Sequence, residues 1–243
     1  MIQFVLKSRF LSGALAVFLL ASGAQASTVA LTYHGATSGG EKKTVRIDDA
    51  PVAYPGTGNW PRSVGAWGFN MHDSSGTLGD FVAWCLDLGS FLSTSSTSAK
   101  PYSVVSEPFS NSYGLDSSER IRVQTVFDAN YAGLDLSAGD QAAGFQLALW
   151  NALYDDDSDV STGAFRATAQ SGVVSLANGF LGEAAGFDGD RQYRLAFLES
   201  DDSNGAKYQN LVTVAPVPLP AAGGLLLVAL GGIGLAARRA KSS

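Results

Sequence analysis

The chain has 243 residues, of which 46% are hydrophobic, 10% aromatic and 16% charged, with one cysteine and a formal net charge of −6. Five of its 16 basic residues (Lys7, Arg9, Arg238, Arg239 and Lys241) sit at the two ends, so all 22 acidic side chains face only 11 basic ones between Ser27 and Ala215, a net charge of −11. Such a surface repels phosphate backbones and argues against nucleic acid as a partner, while roughly 190 residues suffice for one substantial core.

In chain order, Lys7 and Arg9 precede an apolar run from Phe10 to Leu20, followed by ASGAQAS. Ala24 and Ala26 fit the small-x-small pattern of signal peptidase, which predicts a signal peptide over 1–26 and export of the remainder. The run is short for a membrane span of roughly 20 residues. From Ser27 to about Leu92 the patterning is β-like: TVALTYHG and KTVRIDD alternate apolar and polar residues, and GAWGFNMH and DFVAWCLDL follow after Gly, Pro and Ser punctuation. Ser93 to Ser98 reads as a polar loop.

Helices come next. Asp116 with Glu119 forms a capping box ahead of ERIRVQTVFDANY, and Gly133 ends that helix. Ser137 precedes GDQAAGFQLALWNALYD, which carries Phe145, Leu149, Ala152 and Leu153 at helical spacing. VVSLANGFLGEA predicts a third helix, and RQYRLAFLES and YQNLVTV predict closing strands. The expected fold class is α+β. It comprises a β-rich body over 27–214 with a central insertion of two to three helices, an N-terminal signal helix and a C-terminal transmembrane helix.

The tail, 215–243, has three parts in order: Val217-Pro218-Leu219-Pro220-Ala221, an uncharged span to Ala237, and the basic stop Arg238, Arg239 and Lys241. The span is long enough to cross a bilayer, and the basic stop keeps the end in the cytoplasm with the body outside. This tripartite tail resembles the VPLPA variant of the PEP-CTERM sorting signals of Gram-negative bacteria. The resemblance implies an inner-membrane intermediate, recognition by an exosortase, and delivery to the cell surface or extracellular matrix.

Cys85 is unpaired in a chain bound for an oxidising compartment, where cysteines usually form disulfides. Trp84-Cys85-Leu86-Asp87 is an aromatic, cysteine, aliphatic, polar sequence, and Phe145-Gln146-Leu147-Ala148-Leu149-Trp150 places a glutamine near the start of the second helix with a tryptophan one turn on. Together these resemble the paired motifs of bacterial thioester domains, the tips of certain surface adhesins. The resemblance implies that Cys85 supplies the thiol and Gln146 the acyl group of an internal thioester that captures an amine on a surface or matrix target. Trp84 and Trp150 would exclude water, with Phe145 and Asp87 as further neighbours. Such a protein acts once and is not an enzyme. Unlike those adhesins, the chain has no repeat stalk, which suits matrix or neighbour-cell attachment.

Other readings of the same residues remain open. Cys85 can be a buried small hydrophobe with Gln146 bonded to backbone, in a non-covalent matrix component. A Cys85 dyad with His34 or His72 would make a secreted hydrolase. Asp155, Asp157 and Asp159 mimic the opening of a calcium loop, but Val160 and Arg166 stand where an EF-hand needs Gly and Glu, so a solvated turn is expected. One cysteine and two histidines make a poor metal set. No phosphate-binding glycine loop, serine elbow or dinucleotide fingerprint occurs, so no cofactor is expected.

Overall fold

The computed structural model describes residues 27–39, 41–105, 115–200 and 208–215. The signal-peptide and sorting-motif expectations, including Val217 to Ala221 and Arg238, Arg239 and Lys241, fall outside these residues. Among the described residues no helix is long and apolar enough to cross a membrane.

Six strands close into an antiparallel barrel: β1 (Ser27–Ala36), β4 (Phe69–Asp73), β5 (Asp80–Cys85), β9 (Leu211–Val214), β8 (Leu195–Ser200) and β6 (Lys100–Val105), in that order around the wall. A second sheet of three strands, β3 (Arg62–Ala66), β2 (Lys43–Asp49) and β7 (Arg166–Thr168), has β2 at its centre. Closure leaves the barrel no free edge. The alternation in TVALTYHG becomes the inward pair Val29 and Leu31, and that in KTVRIDD becomes Val45 and Ile47, all buried. β1 reaches β6 with its first half and β4 with its second, with a register shift between Tyr33 and Ala36 where Gly35 adopts a positive φ of 116°.

The sequence pattern needs correction in two places. GAWGFNMH is not one strand: it breaks at Trp67 and Gly68, giving the end of β3 and then β4, which lie in different sheets. The short strands β6 and β7, and β3 ahead of Gly65, carry no long alternating run and were not anticipated. Tertiary pairing, rather than local pattern, defines them.

The helices α1 (Ser117–Asn130), α2 (Gly139–Tyr154) and α3 (Ser171–Ala185) lie between β6 and β8 in the chain, with β7 interrupting them. The Asp116 carboxylate accepts from Glu119 N at 2.8 Å and the Glu119 carboxylate accepts from Asp116 N at 2.7 Å, completing the expected capping box. A short 3-10 turn, Tyr131–Gly133, follows α1. Ser137 does not cap α2; its hydroxyl donates to Asp135 at 2.6 Å. α2 packs on both other helices and touches β2 and β3, and it is buried on every face rather than along one stripe. Gly144 permits this, because a Cβ there would stand 2.8 Å from Leu176 Cβ on α3. The hydrophobic cluster runs without a break from the barrel into the helices.

Candidate functional site

Cys85 is the last residue of β5, paired with Leu211 on β9. Gln146 comes from the middle of α2 and is fully buried. The two meet despite a separation of 61 residues in sequence: Cys85 N donates to Gln146 Oε1 at 3.0 Å, and Gln146 Nε2 donates to Cys85 O at 2.8 Å. One carboxamide thus closes both main-chain groups of the cysteine. Gln146 was expected near the helix start, where free N–H groups could hold an oxyanion. Its mid-helix position rules that source out, because backbone donors there are used within the helix. The donor on the carboxamide oxygen is the cysteine's own N–H.

The Cys85 thiol is 1% exposed and donates to Asp87 O at 2.9 Å. Burial pushes its pKa well above the usual thiol range, and the nearby Asp87 charge raises it further, against the lowering influence of a backbone hydrogen bond at Asp87 and of Trp150. The resting group is therefore the neutral thiol. On a regular strand Asp87, two residues on, would share a face with Cys85. Instead β5 has ended, and the buried Asp87 carboxylate accepts from Asn210 N at 2.6 Å while its carbonyl also receives Gln209 Nε2 at 3.0 Å. Asp87 thereby fixes the turn that orients the sulfur.

Gln146 and Trp150 are four residues apart on α2 and so share a face. The Trp150 indole N–H is near enough to the sulfur to favour its ionised form, yet it reaches no acceptor at hydrogen-bonding geometry and is buried from solvent. An unused buried donor carries a cost of about 1–3 kcal/mol, and here it stands beside the thiol.

Cys85 and Trp150 both line a cleft of about 290 Å³, walled by the rings of Tyr33, Tyr54, Trp67, Phe69 and Phe91. Trp84 and Phe145 are not part of that wall. They meet edge to face at 4.8 Å on the helix side of β5, where Phe145 also packs against Phe127, Tyr131 and Phe180. Strand alternation explains the split, since consecutive residues of β5 point to opposite faces. Of the two tryptophans expected to exclude water from the sulfur, only Trp150 borders it. The cleft rings Tyr54 and Phe91 come from loops with no periodic pattern, and sequence reasoning passed them over.

The remaining candidates separate from the site. His34 and His72 stand together on the barrel, ring centroids 5.7 Å apart, with His72 Nδ1 2.7 Å from Asp80 Oδ1. Asp80 opens β5 and Cys85 closes it, a separation of about 16 Å along a strand, and neither histidine lines the cleft. In the acidic turn, Asp155 accepts from Ala164 N and Phe165 N, Asp157 from Asn151 Nδ2, and Asp159 from Ser161 N and Asn178 Nδ2. These carboxylates fasten the turn to α2 and α3. Among the described residues no group of three or more His, Cys, Asp or Glu side chains could hold a metal ion.

No protein-family model matches the chain, and no curated protein matches it. Solved structures similar to it include two from one organism. The N-terminal domain of the Streptococcus pyogenes pilus tip adhesin Cpa shares 17% identity, covering 62% of this chain and 85% of that one with a TM-score of 0.41. The N-terminal thioester domain of fibronectin-binding protein SfbI from Streptococcus pyogenes shares 18%, covering 63% and 87% with a TM-score of 0.39.

Proposed function

We propose that this is an exported surface or extracellular-matrix protein that attaches covalently to an amine-bearing partner through a thioester between Cys85 and Gln146. The observation that carries the reading is the pair of hydrogen bonds that seat the Gln146 carboxamide on the main chain of Cys85 itself. Contact of that kind replaces chance collision with effective molarity, which a poor electrophile such as a carboxamide requires.

In the condensation, Cys85 Sγ attacks the Gln146 side-chain carbonyl carbon, and the electron pair moves onto Oε1. Cys85 N–H, already 3.0 Å from that oxygen, stabilises the developing charge. The C–N bond then breaks, and the thiol proton leaves on ammonia together with the amide's own hydrogens. Capture reverses the polarity: an amine attacks the thioester carbon, sulfur departs, and the amine proton returns to Cys85. The product is an amide between Gln146 and the target. The Trp150 N–H stands where it can receive the departing sulfur's charge. Each molecule reacts once, so this is attachment and not turnover.

Sorting belongs to the same proposal. Signal peptidase would remove 1–26, the C-terminal helix would hold the chain in the inner membrane of a Gram-negative bacterium, and an exosortase would act at Val217 to Ala221. A second reading has its own support: the unlinked carboxamide already satisfies the Cys85 main chain and the thiol already donates to Asp87 O, which suits a non-covalent matrix component. Peptide mapping after methylamine treatment separates the two. Modification of Gln146 with appearance of a titratable Cys85 thiol supports the thioester; an unmodified Gln146 removes it.

A further inference from the structure

The cleft leading to Cys85 has a chemistry of its own. None of the described residues lining it carries a charge: aromatic rings alternate with Ser63, Ser90, Thr94 and Gln209. Phe91 is 57% exposed, one of two large hydrophobic side chains left so open among the described residues. It stands edge to face with Tyr54 at 5.7 Å, and Tyr54 is backed outside the cleft lining by Trp60 at 5.3 Å. The charges that meet these rings are positive: Lys42 Nζ lies 5.8 Å from the Trp67 centroid and Arg62 Cζ 5.5 Å from that of Tyr54.

This arrangement serves a lysine ammonium badly. An acyl acceptor must arrive as the free base, yet a lysine amine, with an ordinary pKa of about 10.4, is almost wholly protonated near neutral pH. The cleft offers no carboxylate to pair with the cation or to take its proton, and the cations on its rings repel it. A neutral sugar ring meets the opposite case: its C–H face lies on aromatic rings, and its hydroxyls find side-chain oxygens and amides. At about 290 Å³ the space sits near the lower end of ligand pockets, roughly 300–1,000 Å³, the size for one small unit rather than a chain. An amino sugar completes the match, because its electron-withdrawing hydroxyl and acetal carbons leave the amine far less basic than a lysine's, so that a much larger share of it is free base at neutral pH.

Resting on the thioester reading above, we propose that the cleft is a subsite for an amino-sugar unit, and that the acceptor captured by the Gln146 acyl group is a hexosamine amine of a glycan. The sugar amine attacks the thioester carbon, the carbon–sulfur bond breaks, the amine's proton passes to Cys85, and an amide joins the sugar nitrogen to Gln146. Phe91 and Tyr54 supply the stacking surface and select the acceptor.

The test compares coupling rates of glucosamine, Nα-acetyllysine and methylamine to the purified full-length chain by intact mass, each at equal free-base concentration so that the protonated fraction drops out of the comparison. Glucosamine couples about tenfold faster than Nα-acetyllysine, and Phe91→Ala lowers the glucosamine-to-methylamine ratio toward one, about the factor that one ring contact supplies. Equal rates for the three amines, or a faster lysine, overturn the subsite and leave the thioester standing. Independently, methyl glucosaminide titrated into the Cys85→Ala chain quenches or enhances tryptophan fluorescence saturably, since Trp67 and Trp150 line the cleft. If no amine couples at all, the thioester reading fails, and that titration alone decides the sugar site: a saturable change supports it and a flat line overturns it.

Discussion

The two ends of the β4–β5 hairpin hold buried polar groups of opposite character. At the turn end, Asp73 is 1% exposed, and its oxygens accept from Ala30 N, Ser75 N, Ser75 Oγ, Thr77 N and Leu78 N at 2.8–3.1 Å. Burial alone would raise its pKa, but the donors of Ser75, Leu78 and Ala30 outweigh it and hold the carboxyl at about 2. At the cleft end, the Cys85 thiol is pushed toward its neutral form, a carboxamide from 61 residues away lies against it, and the Trp150 donor beside it is unused. Saturation by near neighbours marks a carboxylate that builds a turn. A leftover donor at the floor of an open cleft marks a place where a bond can change.

Mutations that interchange these properties test the contrast. Cys85→Ala abolishes methylamine incorporation entirely while costing no more than about 2 kcal/mol of unfolding free energy, as expected for a small buried side chain. Asp73→Ala does the reverse: labelling persists in the folded protein, and denaturant titration shows a loss of about 3 kcal/mol, because backbone donors are left unmatched. Gln146→Ala joins the two effects. It ends labelling and also destabilises by about 3 kcal/mol, since Cys85 N–H and C=O both lose their buried partner.

The pH dependence of stability follows from the same contrast. The Asp73 pKa is lower in the folded state, about 2 against roughly 3.9 unfolded. Its contribution is therefore complete above about pH 4 and is lost as pH falls through about 2, amounting to about 2–3 kcal/mol. Urea midpoints measured across that window fall in the parent and fall less in Asp73→Asn. The smallest effect is that of Trp150→Phe. Removing a buried N–H without an acceptor offsets part of the roughly 1–3 kcal/mol that the smaller buried ring costs, whereas methylamine coupling slows about tenfold because the departing sulfur loses its donor. A purely structural Trp150 would leave that rate unaltered.

Much of this was legible in the sequence, for reasons that differ by element. Alternation exposed β1 and β2, and the Asp116–Glu119 capping box exposed α1, because both signals are local. β6, β7 and the start of β3 are short and set by pairing partners far along the chain, so no local pattern announced them. The Cys85–Gln146 contact could be anticipated only from two motifs read together. The turn at Asp87 could not, since it depends on Asn210 N and Gln209 closing it from β9's side. Tyr54 and Phe91 were invisible for the same reason: loop residues acquire a role only when the barrel brings their loops to one mouth. Strand parity also divided Trp84 from Cys85, sending one into the helix core and the other to the cleft.

The intact mass of the purified native chain, taken without reductant or added amine, decides whether Cys85 and Gln146 are joined. The joined chain is lighter by one ammonia than the same chain unlinked, with no thiol that titrates in the folded protein until an amine is supplied. The unlinked mass together with a thiol that reacts once the chain is unfolded would contradict that link.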